Sequence, residues 1–177
     1  MTQERLTQER LAANEYDVGN CQSLFGYAER VHQRSHGVCQ LCGFEGSPAV
    51  DFHLWRQLTV EHVIGVSQGG AKMQIEEAIT KRFPSLAPSD RASLANQIDE
   101  ANTVTACHFC NSATSRHRCE KTMGEIIAQP KGKAQEVLAA VNLDIKRVLK
   151  DKQARVSWKL ASVRKAFDKR VKTVLRP

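Results

Sequence analysis

Apolar residues recur at helical spacing over much of this chain and alternate over one short stretch. Leu24, Tyr27, Ala28 and Val31 make a helical stripe over residues 22–36, which predicts a helix ending at Gly37. VCQLCGFEGSP reads as a tight turn. LWRQLTVEHVIG then alternates around Leu58, Val60, His62 and Ile64, as a half-buried strand does, and stops at the glycine-rich GVSQGGA. KMQIEEAITKRF predicts a helix closed near Pro84, and PSDRASLANQIDEA a second, with Ser89 or Asp90 as N-cap. NTVTACHFCN predicts a short strand, and SATSRHRCEKTMGEIIAQ a helix running to Pro130. Two amphipathic helices close the chain. Residues 134–150 carry Val137, Leu138, Val141, Ile145, Val148 and Leu149; residues 153–175 carry Leu160, Val163, Phe167, Val171 and Val174. Their stripes predict packing surfaces. A brief TQERL duplication opens the chain and is too short to be a structural repeat.

Composition narrows the class. Hydrophobic residues make up 41% of the 177 and charged residues 25%, the range of a globular protein with room for a real core. No apolar run nears the ~20 residues of a membrane span, and the polar N-terminus predicts no signal peptide. A cytoplasmic location is therefore expected, and there paired cysteines are read first as metal ligands. The net charge of +7 is uneven: residues 131–177 hold 14 Lys and Arg against 4 Asp and Glu, a balance of +10. A cationic end of this kind suits a polyanion, although a solvated helical face has the same composition.

Four of the six cysteines form two C-x-x-C pairs, Cys39 with Cys42 and Cys107 with Cys110. Each such turn aims two sulfurs at one point, and two turns complete a tetrahedral thiolate site for structural zinc. A redox motif would need only one pair. With no open position, this zinc would staple distant segments and perform no reaction. Cys21 and Cys119 stand outside the pattern.

Between and beside the knuckles lie Glu61-His62-Val63-Ile64, Gly69-Gly70, Asn102 five residues before Cys107, and Asn111 directly after Cys110. This arrangement over residues 30–120, apart from residues 71–100, resembles the HNH endonucleases, the ββα-metal or His-Me finger family. Glu61 stands where that family more often has Asp, and Gly65 where it often has Pro. The resemblance implies an α+β protein: an N-terminal helical segment (1–36), a zinc-stapled ββα-metal core (37–125) with a helical insertion (71–100), and a basic helical C-terminal extension (131–177). It implies that His62 is the general base, that Glu61 and Asn111 hold a catalytic Mg²⁺ or Mn²⁺, and that Asn102 braces the loop carrying the histidine. It also implies phosphodiester hydrolysis in DNA, leaving 5′-phosphate and 3′-hydroxyl ends, as in prokaryotic restriction or antiphage defence. A homodimer cutting both strands and a partner protein of such a system are compatible with it.

Alone, His62 is as easily a buried core histidine, and Asn102 and Asn111 are as easily turn or helix caps. Candidate DNA contacts are Arg116, Arg118, Lys146, Arg147, Lys165 and Lys169; His36 and Arg34 are weaker candidates. If the extension tracks the DNA backbone, truncation after Gln129 should weaken binding and flatten its salt dependence. A zinc-stabilised DNA-binding or adaptor protein without catalysis is the alternative. An RNA nuclease ranks third, because no aromatic stacking platform shows in the sequence.

Overall fold

The computed structural model describes residues 27–46 and 52–172. The duplication, Leu24, Cys21 and Val174 lie outside them. Among these residues seven α-helices and two strands follow in order: α1 (Tyr27–Arg34), α2 (Phe52–Trp55), β1 (Leu58–His62), α3 (Lys72–Arg82), α4 (Pro88–Asn102), β2 (Thr103–Cys107), α5 (His108–Thr114), α6 (Met123–Ala128) and α7 (Ala134–Ala166). The chain is thus mostly helical among the described residues, with one antiparallel pair, β1 with β2. Leu58 stands opposite Cys107 and His62 opposite Thr103. Among the described residues no helix is long and apolar enough to cross a membrane.

Two strands cannot bury a core by themselves, so helices complete it. Ile75 and Ile79 of α3, Leu94, Ala95 and Ile98 of α4, Ile126 and Ile127 of α6, and Val137, Val141 and Ile145 of α7 close over Val63, Ile64 and Val104. Residues 71–100 and the basic C-terminal helix therefore supply most of the apolar interior. Truncation after Gln129 would remove that interior, and point substitutions are the usable test of the basic surface. A second, smaller cluster joins Cys39, Leu41, Ala106, Cys107, Cys110 and Val156, so α7 spans both.

Several elements differ from their sequence patterns. The strand is five residues long, because residues 52–55 coil into a helical turn before it. α4 begins with Ala87 as N-cap and Pro88 inside the first turn, so neither Ser89 nor Asp90 caps it. The helix expected up to Pro130 is two helices: α5 ends at Thr114, and α6 restarts behind Thr122, whose hydroxyl accepts from the Glu125 amide while Glu125 accepts from the Thr122 amide. The two C-terminal helices are one helix of 33 residues, continued by five residues of π-helix. Nothing in DKQARVSW breaks a helix, since it has neither Gly nor Pro. Beyond Leu160 its apolar stripe is uncovered, with Val163, Phe167 and Val171 all exposed.

Candidate functional site

The first knuckle is a glycine-assisted loop. The Cys39 amide donates to the Phe44 carbonyl at 2.8 Å and the Gly43 amide to the Cys39 carbonyl at 2.8 Å. Gly43 sits at φ 76°, where a side chain would be strained. This loop docks on β2: the Gln40 amide donates to the Thr105 carbonyl at 2.8 Å, and the Thr105 amide to Gln40 Oε1 at 3.1 Å. β2 carries Cys107 at its end, and the first turn of α5 carries Cys110. All four sulfurs lie within 4.8 Å of one another. Four ligands ~2.3 Å from a tetrahedral zinc would stand ~3.8 Å apart, and Cys42 Sγ is 3.9 Å from Cys107 Sγ. Sulfur hydrogen bonding from Cys110 draws Cys39 down to about 4, burial pushes Cys42 up to about 11, and the bond to Cys39 pushes Cys110 higher still. The cluster is compatible with structural zinc. His108 is exposed and outside it.

Asn102 is 0% exposed at the junction of α4 and β2. Its Oδ1 accepts from the Ile64 amide at 2.7 Å, while Nδ2 donates to the carbonyls of Ile64 at 3.1 Å and Gly70 at 2.9 Å. The side chain thus ties both ends of the glycine-rich loop that follows His62. Gly70 has no room for a side chain here: a Cβ would stand 1.8 Å from the Ile64 carbonyl oxygen.

Side chains alternate along β1, so Glu61 and His62 face opposite sides. Thr59 and Glu61 face α5. Asn111 Nδ2 donates to Thr59 Oγ1 at 2.9 Å, and Thr114 Oγ1 donates to Glu61 Oε1 at 3.1 Å. His62 lies on the α4 side, where Asp99 is a charged neighbour. Burial lowers its pKa below the ordinary 6.5, with Lys152 acting the same way and Asp99 and Glu61 opposing. His62 is therefore neutral at pH 7, as a proton acceptor must be.

The least expected group is Lys152 of α7. It is 2% exposed, and its ammonium donates to Glu61 Oε1 and, at 3.0 Å, to the His62 backbone carbonyl. Glu61 is itself 7% exposed. The residues assigned to a divalent cation therefore do not fit one in this arrangement. The carboxylate is engaged by an ammonium, and a dication about 4 Å from that ammonium would meet a repulsion of roughly 8 kcal/mol at an effective dielectric constant of 20. One signal in the sequence pointed to Lys152: it continues the apolar series Val141, Ile145, Val148 to Val156, a buried position at helical spacing. Asp99 likewise follows Leu94, Ala95 and Ile98 on the buried side of α4.

The candidate DNA contacts are all exposed but divide among three places. Arg118 and Arg147 line a cleft of about 210 Å³ with His117, Lys121, Asp151 and Arg155. Asp151 and Arg155, which line this cleft, flank Lys152 in sequence on α7. Arg147 also pairs with Asp144 at 3.1 Å. Arg116 lines an adjoining groove with Arg155, Trp158 and Lys159, which continues to Phe109 and Val163. Trp158 is 71% exposed and shares this groove with Phe109, so exposed aromatic rings of α5 and α7 stand in one groove. Lys146 projects from the outer face of α7, and Lys165 and Lys169 lie on its far end. Arg34 is structural: its guanidinium donates to the Glu100 and Thr103 carbonyls and to Thr103 Oγ1. His36 is exposed at φ 52° in the turn after α1.

Comparison with protein-family models, with characterised proteins and with solved structures gives no match.

Proposed function

We propose that the chain is an HNH-type endonuclease that hydrolyses phosphodiester bonds of DNA, in the manner of prokaryotic restriction or antiphage nucleases. The observation that carries this reading is the Asn102 clamp. One buried side chain holds the loop after His62 at both ends, on a strand–strand–helix unit whose two flanking C-x-x-C turns converge. The position of Asn111 on the helix of that unit agrees with it.

In this reading neutral His62 takes a proton from water. The water oxygen bonds to phosphorus as the bond to the 3′ oxygen breaks, leaving a 5′-phosphate, and the 3′ oxygen takes a proton from solvent water to become a hydroxyl. Asp99 stabilises the imidazolium that forms. Arg118, Lys121, Arg147 and Arg155 line a basic cleft suited to phosphate charge along the DNA backbone. Trp158 and Phe109 offer an apolar wall to bases, and Arg116, Arg155 and Lys159 flank it with no acid among its lining residues. The test is nicking of plasmid DNA by zinc-loaded protein. His62→Ala should abolish it while zinc content and folding are kept, and a His62→Ala protein that still cuts overturns the mechanism.

A second reading has its own support. Glu61 is engaged by Lys152 and Thr114, which suits a zinc-stabilised DNA-binding or adaptor protein without catalysis. Absence of nicking with Mg²⁺, with Mn²⁺ and with EDTA alike, alongside DNA binding, would select it.

A further inference from the structure

Buried ion pairs do not earn their place through stability. Two apolar side chains of similar volume serve as well or better, whereas removal of one partner strands a charge. Lys152 occupies a position whose neighbours on the same stripe, Val148 and Val156, are apolar, and an ordinary core would continue with another such residue there. The ammonium is held by oxygen: the Glu61 carboxylate and the His62 carbonyl, with the Thr114 hydroxyl on the same carboxylate oxygen. A carboxylate, a carbonyl and a hydroxyl are also the donors a hard divalent cation takes.

We propose that Lys152 is the resident cation of a latent divalent-metal site built from Glu61, the His62 carbonyl and Thr114, and that ammonium and metal exclude each other there. The proposal uses the reading of Glu61 as the acidic residue of the site, and it adds what governs access to it. α7 thereby acts as a competitor for metal, carried on the same helix that presents the basic surface. The helix is held in place by the core residues on either side of Lys152, so the ammonium returns to the carboxylate whenever metal leaves.

The test is Mn²⁺ binding to the full-length zinc-loaded chain, followed by loss of the free-ion electron paramagnetic resonance signal. Mn²⁺ is a hard ion and leaves the thiolate cluster alone. Wild type should bind weakly. Lys152→Met should bind about tenfold more tightly or better, because the repelling charge is gone. Adding Glu61→Gln to Lys152→Met should abolish the gain. Lys152→Gln, which keeps a hydrogen-bond donor without the charge, should move in the same direction and serves if Lys152→Met fails to fold. Equal affinity in wild type and both Lys152 variants overturns the proposal. So does a gain that survives Glu61→Gln, or tight Glu61-dependent binding in wild type. Nicking is not the readout, so the two claims fail separately. A protein that never cuts DNA but shows this Mn²⁺ pattern sinks the nuclease reading alone, and one that cuts DNA without the pattern sinks this proposal alone.

Discussion

Replacing Asn102 by alanine removes three hydrogen bonds at once, of 2.7, 3.1 and 2.9 Å, from a side chain that is 0% exposed. The partners left behind are one amide and two carbonyls, those of Ile64 and Gly70. Each buried polar group stranded in this way costs ~1–3 kcal/mol. Carbonyls fall at the lower end, so a total loss of about 3–6 kcal/mol is expected. Against a typical total of ~5–15 kcal/mol for a domain, that brings the variant close to its unfolding threshold. The assay is urea denaturation of the zinc-loaded protein, comparing midpoints at equal slope. Asn102→Asp sharpens the test. Its carboxylate keeps an acceptor for the Ile64 amide but turns the other oxygen toward two carbonyls, so its folded-state pKa is raised. The folded variant then binds more protons than the unfolded one above ~pH 3.9, and its stability should rise as pH falls. A loss below about 1 kcal/mol in Asn102→Ala, with unchanged slope, would refute the claim that this side chain holds the loop.

Gly70→Ala should be about as damaging as Asn102→Ala, because its Cβ would overlap the Ile64 carbonyl; a normal melting temperature would show that the loop yields. Cys107→Ser, or prolonged chelation of the purified protein, should release one zinc per chain and unfold the second core cluster, as read by metal analysis and circular dichroism. His32, buried against Thr105 Oγ1 at 2.9 Å, has its pKa lowered by burial. The unfolded chain therefore binds the extra proton first, and stability should fall as pH drops below the ordinary 6.5 and level off above it; His32→Gln should show a shallower fall in denaturation midpoint between pH 7.5 and 5.5. Trp158→Ala should weaken DNA binding in a filter or anisotropy assay with no change in melting temperature, since the ring is 71% exposed.

Local spacing made much of the candidate site legible. The two C-x-x-C pairs predicted one thiolate cluster across 64 residues of intervening chain, because a C-x-x-C turn orients its sulfurs without help from the rest of the fold. His62 closes a strand as its alternation predicted, whereas Asn102 and Asn111, both read within the NTVTACHFCN strand and turn, lie at the end of α4 and in α5. Helix boundaries were less legible. The halves of α7 carry distinct apolar stripes and read as two helices, but the backbone between them has no reason to break.

The sequence by itself determined the periodic faces, the paired cysteine turns and the uneven charge, since each follows from residues a few positions apart. Only the tertiary structure decided what those faces meet. It brought Lys152 to Glu61 across 91 residues, set Asp99 beside His62, and joined Trp158 to Phe109 in one groove. It also turned the basic C-terminal segment from an appendage into the wall of the core. The physical reason is common to all four: charge compensation and apolar burial depend on proximity in space, and no local pattern states which helix will close over the strand that carries His62.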